Sequence, residues 1–334
     1  RPPPRLLGEI DVGGCLNAVA AISPHGLLTA QSAGYDPPPG TSMRAYSLFQ
    51  TPFRAPTRSS DAQKALEDGE DGGSEGSKQQ LSVRTEDTSN SQSVMDDPGA
   101  DGSRMIFLHE RGVRAIALWP RPDSRDAAPY LVGSVSKDAI GVSLIASDGY
   151  SLLAPFWSAK SPHNESMADL TQKITSLCWQ DRGSIWSGGH DGLLKLWDVE
   201  GGRRDAVLTV KHDPINAVEV WDGPGMLVAA GINGLMYYDI RAGNIVRTQT
   251  TKHNVTAMRV LHGGHPMLFV GIGNDLVQYD TRMFADGKDA KFTGVGSWTL
   301  KSRVTAIDCT TSLRGRLLTA VGIENGQVAA FDTS

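Results

Sequence analysis

The sequence predicts an all-β chain, and three observations carry that prediction. A four-residue pattern recurs six times. Short apolar runs between Gly, Asn and Asp turns follow each recurrence. The 37 Gly and 18 Pro among 334 residues punctuate the chain too often for long helices. The pattern is an aliphatic residue, then Asn, Arg or Thr, then Ala or Ser, then an aliphatic residue or Met. It starts at Leu16, Val113, Ile174, Ile215, Val255 and Val304, at intervals of 97, 61, 41, 40 and 49 residues. A period near 40 with room for four strands is the arithmetic of a β-propeller blade. A single open sheet of roughly 24 strands would be far larger than open sheets normally grow.

The elements follow in chain order. Residues 5–11 form a strand that belongs to no unit. The first unit has its third strand near 42–49 and its outer strand at 104–109. Between them, residues 52–104 hold only six large apolar side chains, with 11 acidic and 6 basic residues. Such a segment buries too little surface to offset its ordering entropy, which predicts a disordered acidic insertion within the first blade. Ser93 and Thr85 there stand beside acidic residues and suit acidophilic kinases. The third unit reads as strands at 174–179, 185–189, 193–199 and 206–210. The last unit has three, at 304–308, 316–321 and 327–332, and lacks an outer strand. Pairing residues 5–11 with that unit would supply it, close the ring and remove an exposed edge. The count is a single propeller over residues 1–334 with six blades, seven staying open.

Residues 186–198 read W-S-G-G-H-D-G-L-L-K-L-W-D. This stretch resembles the WD-repeat β-propeller family. There, a second-strand Ser, a turn Asp, a third-strand Trp and a His before the first strand form a hydrogen-bond tetrad. Ser187, Asp191 and Trp197 match those places; residues 170–173 offer no His. Asn233, Asn274 and Asn325 stand near the turn Asp in later units. Tyr238-Asp239, Tyr279-Asp280 and Phe331-Asp332 replace Trp-Asp, and His212 and His253 hold the pre-strand place. Trp221-Asp222 ends a first strand and is no repeat mark. The resemblance implies a propeller and leaves function to its surfaces.

Net charge is −5, and residues 52–104 account for all of it; the rest balances at 26 against 26. A neutral body does not favour nucleic acid. No apolar run reaches the length of a membrane helix, so no membrane insertion is expected. Cys15, Cys178 and Cys309 are odd in number and show no metal spacing, which points to a reducing, intracellular compartment, cytoplasmic or nuclear. The chain begins at Arg1 without Met, which raises the reading that it is the C-terminal propeller of a larger multidomain enzyme or trafficking protein.

No catalytic constellation emerges, and no cofactor or metal is expected. His262 and His265 have no third ligand nearby. Gly271-Ile272-Gly273 has no helix behind it to hold phosphate. No motif gathers a Ser nucleophile. The reading is a non-enzymatic protein–protein interaction scaffold within a larger complex. Partners would dock on the face around the central channel.

Two surface patterns support it. Loops leading into the inner strands carry Arg111 and Arg114, Lys173, Lys211 and His212, Lys252 and His253, and Lys301 and Arg303. Cations around a channel mouth suit acidic or phosphorylated peptides. Asp138, Asp191, Asp275 and Glu324 lie on the same face and offset them. Candidate partner contacts are Arg114, Lys173, His190, Asn216, Lys252, Thr256, Lys301 and Arg303. On the opposite face, Tyr238-Asp239-Ile240-Arg241 and Tyr279-Asp280-Thr281-Arg282 are similar to the W-D-x-R box of WD-repeat substrate receptors for cullin–RING ubiquitin ligases. That similarity implies adaptor contacts at Arg241 and Arg282. A local Asp–Arg salt bridge is the competing use of the same residues.

Overall fold

The computed structural model describes residues 5–11, 15–22, 26–32, 43–47, 104–106, 113–119, 130–136, 139–145, 152–160, 174–209, 214–221, 225–261, 267–280, 294–311 and 316–333. The expected acidic insertion lies outside them except for its last residue, Arg104, which begins a strand. Arg111, Asp138, Lys173, Lys211, His212, His262, His265 and Arg282 also lie outside the described residues.

The described residues form 24 strands. β1 (Arg5–Asp11) comes first. Blade 1 is β2 (Cys15–Ile22), β3 (Gly26–Ser32), β4 (Met43–Ser47) and β5 (Arg104–Ile106). Blade 2 is β6 (Ala115–Trp119), β7 (Tyr130–Val135), β8 (Ala139–Ile145) and β9 (Leu152–Lys160). Blade 3 is β10 (Ile174–Trp179), β11 (Ser184–Gly189), β12 (Leu193–Asp198) and β13 (Arg203–Thr209). Blade 4 is β14 (Ile215–Trp221), β15 (Met226–Gly231), β16 (Gly234–Asp239) and β17 (Asn244–Thr250). Blade 5 is β18 (Val255–Leu261), β19 (Met267–Ile272), β20 (Asp275–Asp280) and β21 (Gly294–Thr299). Blade 6 is β22 (Val304–Thr311), β23 (Leu317–Ile323) and β24 (Gln327–Asp332), completed by β1.

Each blade is a four-stranded antiparallel meander. In the last, Arg5 opposes Asp332 and Asp11 opposes Gln327, so residues 5–11 supply the missing outer strand. The innermost strands β2, β6, β10, β14, β18 and β22 each neighbour the next, and β22 returns to β2. The units therefore surround a common axis, which is a β-propeller of four-stranded antiparallel blades.

The recurring pattern has a physical basis. In β10, β14 and β18 its second residue ties one blade to the next. Thr175 Oγ1 donates to the Ile215 carbonyl at 2.6 Å, Asn216 Nδ2 to the Val255 carbonyl at 2.8 Å, and Thr256 Oγ1 to the Val304 carbonyl at 2.6 Å. Its first residue, fully buried Ile174, Ile215, Val255 or Val304, packs between blades. A glycine on the preceding second strand makes room for it. A Cβ on Gly188 would meet Ile215 Cγ2 at 2.7 Å, and one on Gly271 would meet Val304 Cγ1 at 2.6 Å.

The Trp-Asp place also has two separable jobs. Trp197, Tyr238, Tyr279 and Phe331 are all buried against the preceding blade, so any large aromatic can serve as the wedge. The following Asp caps the turn: Asp198 Oδ1 accepts from Gly201 N at 2.7 Å, and Asp239 Oδ1 from Arg241 N at 2.8 Å. Burial pushes the Tyr238 hydroxyl up to about 12, and the Tyr237 and Tyr279 hydroxyls also rise, so all three stay neutral near pH 7.

A line of buried charge crosses these interfaces; the fully buried Lys195 of β12 is a separate buried charge among the described residues. Glu219, Arg259 and Asp308 stand five residues into β14, β18 and β22. Arg259 Nη1 donates to Glu219 Oε1 at 3.1 Å, and its Nε lies 2.6 Å from Asp308 Oδ1. The corresponding residues of the other inner strands are Ala20, Ala117 and Cys178. Burial alone would lower the affinity of the Arg259 guanidinium for its proton. Asp308 and Glu219 more than reverse that and hold it charged. Cys309, next in β22, is buried and free, and burial pushes its thiol well up.

Candidate functional site

Strand direction decides what shares a face. Each first strand begins where the loop from the previous blade arrives, and the second strand returns to the same end. The lead-in loops and the second-to-third-strand turns therefore cluster together on one loop face.

On blades 5 and 6 that face is built by backbone bonds. The blade 5 turn at Gly273 and Asn274 grips the loop leading into blade 6: Leu300 N donates to Asn274 O and Val304 N to Gly273 O, both at 2.9 Å. Glu324 N, from the next turn, donates to Arg303 O at 2.9 Å. Lys301, exposed, and Arg303, half-buried, thus stand on a clamped loop. Gly273, with φ +61°, also lies against the previous lead-in loop; a Cβ there would stand 3.9 Å from His253 Cβ. That loop is shaped by Thr251 Oγ1 donating to the His253 carbonyl at 2.7 Å, and it exposes Lys252 and His253.

The acids of this face are partly committed. Asp191 Oδ1 accepts from Leu193 N at 3.0 Å, and Asp275 Oδ1 accepts from the Thr299 hydroxyl at 2.6 Å. Asn325 Oδ1 accepts from Gln327 N at 3.1 Å, so Asn does the turn-capping work of Asp without its charge. Glu324 is exposed.

The sequence-derived contacts fall into two groups. His190, Lys252 and Lys301 are exposed and Arg114 and Arg303 half-buried on the loop face. Asn216 and Thr256 are half-buried and spend Nδ2 and Oγ1 on the neighbouring blade, so they belong to its wall. Of the tetrad-like residues, Trp197 Nε1 donates to Ser187 Oγ at 2.8 Å, both buried, while Asp191 caps its turn. His253 is exposed and joins no such network. On the opposite face, Asp239 Oδ1 accepts from the backbone N–H groups of Arg241 and Ala242. The local Asp–Arg salt bridge does not form there, and the exposed Arg241 guanidinium has no ion pair among the described residues.

Charge-based reading missed two features. One is the Glu219–Arg259–Asp308 line beneath blades 4 to 6. The other is Ile232, at the tip of the β15–β16 turn, which is 44% exposed on the loop face. Among the described residues, no group of three or more His, Cys, Asp or Glu could hold a metal ion, and no helix is long and apolar enough to cross a membrane.

Comparison with solved structures now decides the type of propeller. The crystal structure of the WD40 β-propeller domain of Doa1 matches over 99% of this chain and 97% of that one, with a TM-score of 0.56 and 13% identity. The chain has a WD40-type propeller fold. No family model and no curated protein matches the sequence. At that identity the WD40-type likeness concerns architecture: closed blades, paired termini and loops gathered at the ends of the ring.

Proposed function

We propose that the protein is a non-enzymatic interaction scaffold whose loop face around the ring axis holds acidic or phosphorylated peptide partners. The observation that carries this reading is the clamped cationic loop of blade 6. Lys301 and Arg303 stand on backbone fixed from both sides, so docking there orders little that is not already ordered. Lys252 and His253 extend the cationic surface along blade 5, and Arg114, Lys173 and His190 are the further contacts on blades 2 and 3. Asn216 and Thr256 contribute as the wall beneath. A WD40-type propeller is a fold suited to such a role.

The test is affinity capture with the native chain and with Lys252→Glu/Lys301→Glu/Arg303→Glu, at low and high salt. Recovery of the partner should fall on the order of tenfold, and the native interaction should weaken with salt. Equal recovery with unchanged salt dependence would overturn the reading.

The freed guanidinium of Arg241 favours a second reading, a substrate receptor of a cullin–RING ubiquitin ligase with Arg241 and Arg282 on the adaptor side. Arg241→Ala/Arg282→Ala should then abolish co-purification of the ligase adaptor while leaving loop-face partners bound; undiminished adaptor recovery removes it.

A further inference from the structure

We infer that the loop-face arc over blades 4 to 6 binds an acidic segment of a partner protein that also carries one bulky apolar side chain, with Ile232 as its docking point. This deepens the loop-face reading and rests on it.

Four large apolar side chains are exposed among the described residues. Val207, Val246 and Val295 lie on the outer strands β13, β17 and β21, at the rim. Ile232 alone of the four is on the loop face. It occupies a hairpin tip where blades 3, 5 and 6 carry His190, Gly273 and Glu324. A β-branched aliphatic at a solvent-facing tip is poor turn chemistry. Its apolar surface stands in water on the same face as the cationic loops, which is the surroundings of an interface anchor rather than of a core residue.

Position ties it to the cations. Gly234, two residues past Ile232, pairs with Thr250, and Lys252 lies two residues past Thr250. At roughly 3.3 Å per residue and roughly 5 Å across the pair, Ile232 and Lys252 lie within about 20 Å, which about six extended residues span. The Lys252–His253 loop abuts Gly273, and the Gly273–Asn274 turn grips the Lys301–Arg303 loop. The arc is thus continuous: one aliphatic group, then Lys252, Lys301 and Arg303. Against them stand Asp275, bonded to Thr299, and Glu324 at the far end. Such a surface complements a segment with carboxylates on one side of a Leu, Ile, Phe or Trp. The floor is the stretch of wall braced by Glu219, Arg259 and Asp308, so the loops rest on the charge-locked blades.

The test is selection of a random dodecapeptide display library on the immobilised full chain, followed by fluorescence anisotropy with the selected peptides. The expected pool is enriched in Asp and Glu around one bulky apolar residue. Affinity should fall at least tenfold with Ile232→Ser, with Ile232→Thr, which retains the β-branch, and with Lys252→Glu/Arg303→Glu, all at an unchanged thermal midpoint. An acidic pool without the apolar residue, indifferent to Ile232→Ser, overturns the anchor and leaves the loop-face reading standing. A pool without acidic enrichment, or binders indifferent to every variant, overturns both.

Discussion

Replacing Arg259 with Met should cost the fold about 3–5 kcal/mol, seen as a lower urea midpoint with an unchanged slope in far-ultraviolet circular dichroism. The magnitude comes from what is left behind. Arg259 bridges Glu219 on β14 and Asp308 on β22, and both acids are buried. Met fills much of the space but leaves two carboxylates facing each other across three inner strands with no cation between them. The triple change Glu219→Gln/Arg259→Met/Asp308→Asn removes the charges together and should cost clearly less than the single change. If the two cost the same, packing rather than charge carries the contact. Blades 4 to 6 carry the loop-face arc, so Arg259→Met should weaken partner binding as well.

The pH dependence follows from the direction of the Arg259 shift. Its affinity for the proton is raised in the folded chain, so the stabilisation is present below arginine's ordinary value wherever Glu219 and Asp308 are ionised. On the alkaline side it is lost only as pH rises through the raised value. The gap between native chain and Arg259→Met should therefore stay flat from about pH 7 to about pH 10, where arginine remains charged in both states.

The fold was legible because its supports repeat. The tie at the second residue of the pattern recurs in β10, β14 and β18 with Thr or Asn, so a pattern tolerant of either residue finds the inner strand of each blade. The first-residue aliphatic is equally regular because it must fill the groove over a glycine such as Gly188 or Gly271. The closing strand was legible from its surplus: residues 5–11 had no unit, and β22 to β24 lacked one strand.

The site was only half legible. Cations in lead-in loops stand out in sequence, because such loops are few and their place is fixed by the repeat. Whether a polar side chain faces a partner or the next blade cannot be read from one unit. Asn216 and Thr256 look like surface residues until their acceptors, the Val255 and Val304 carbonyls, are placed beside them. The buried charge line was hidden for a related reason. Its members share one offset in three units but are Glu, Arg and Asp, which no single-residue pattern joins. Ile232 escaped because aliphatic residues are so common that one at a turn tip is noticed only when its exposure is known.

Gly234→Ala should be among the most damaging single-methyl additions in the molecule, at about 3 kcal/mol or more, with loss of loop-face binding at temperatures where the chain still folds. Gly234 has φ +125°, where a side chain is strained, and its added Cβ would overlap the Gln249 carbonyl oxygen. That acceptor is backbone of β17 and cannot swing aside, so relief requires β16 and β17 to separate at the pair Gly234–Thr250. The separation would fall between Ile232 on one side and Lys252 on the other, altering the spacing a bound segment has to match. Gly243 supplies the control. It too has positive φ, +63°, at the other end of the same blade, but an added Cβ meets nothing within 4 Å. Gly243→Ala should cost only about 1 kcal/mol and leave binding intact. Equal losses for the two glycines in thermal denaturation would mean that strain alone matters and that the β16–β17 contact does not set the shape of the arc.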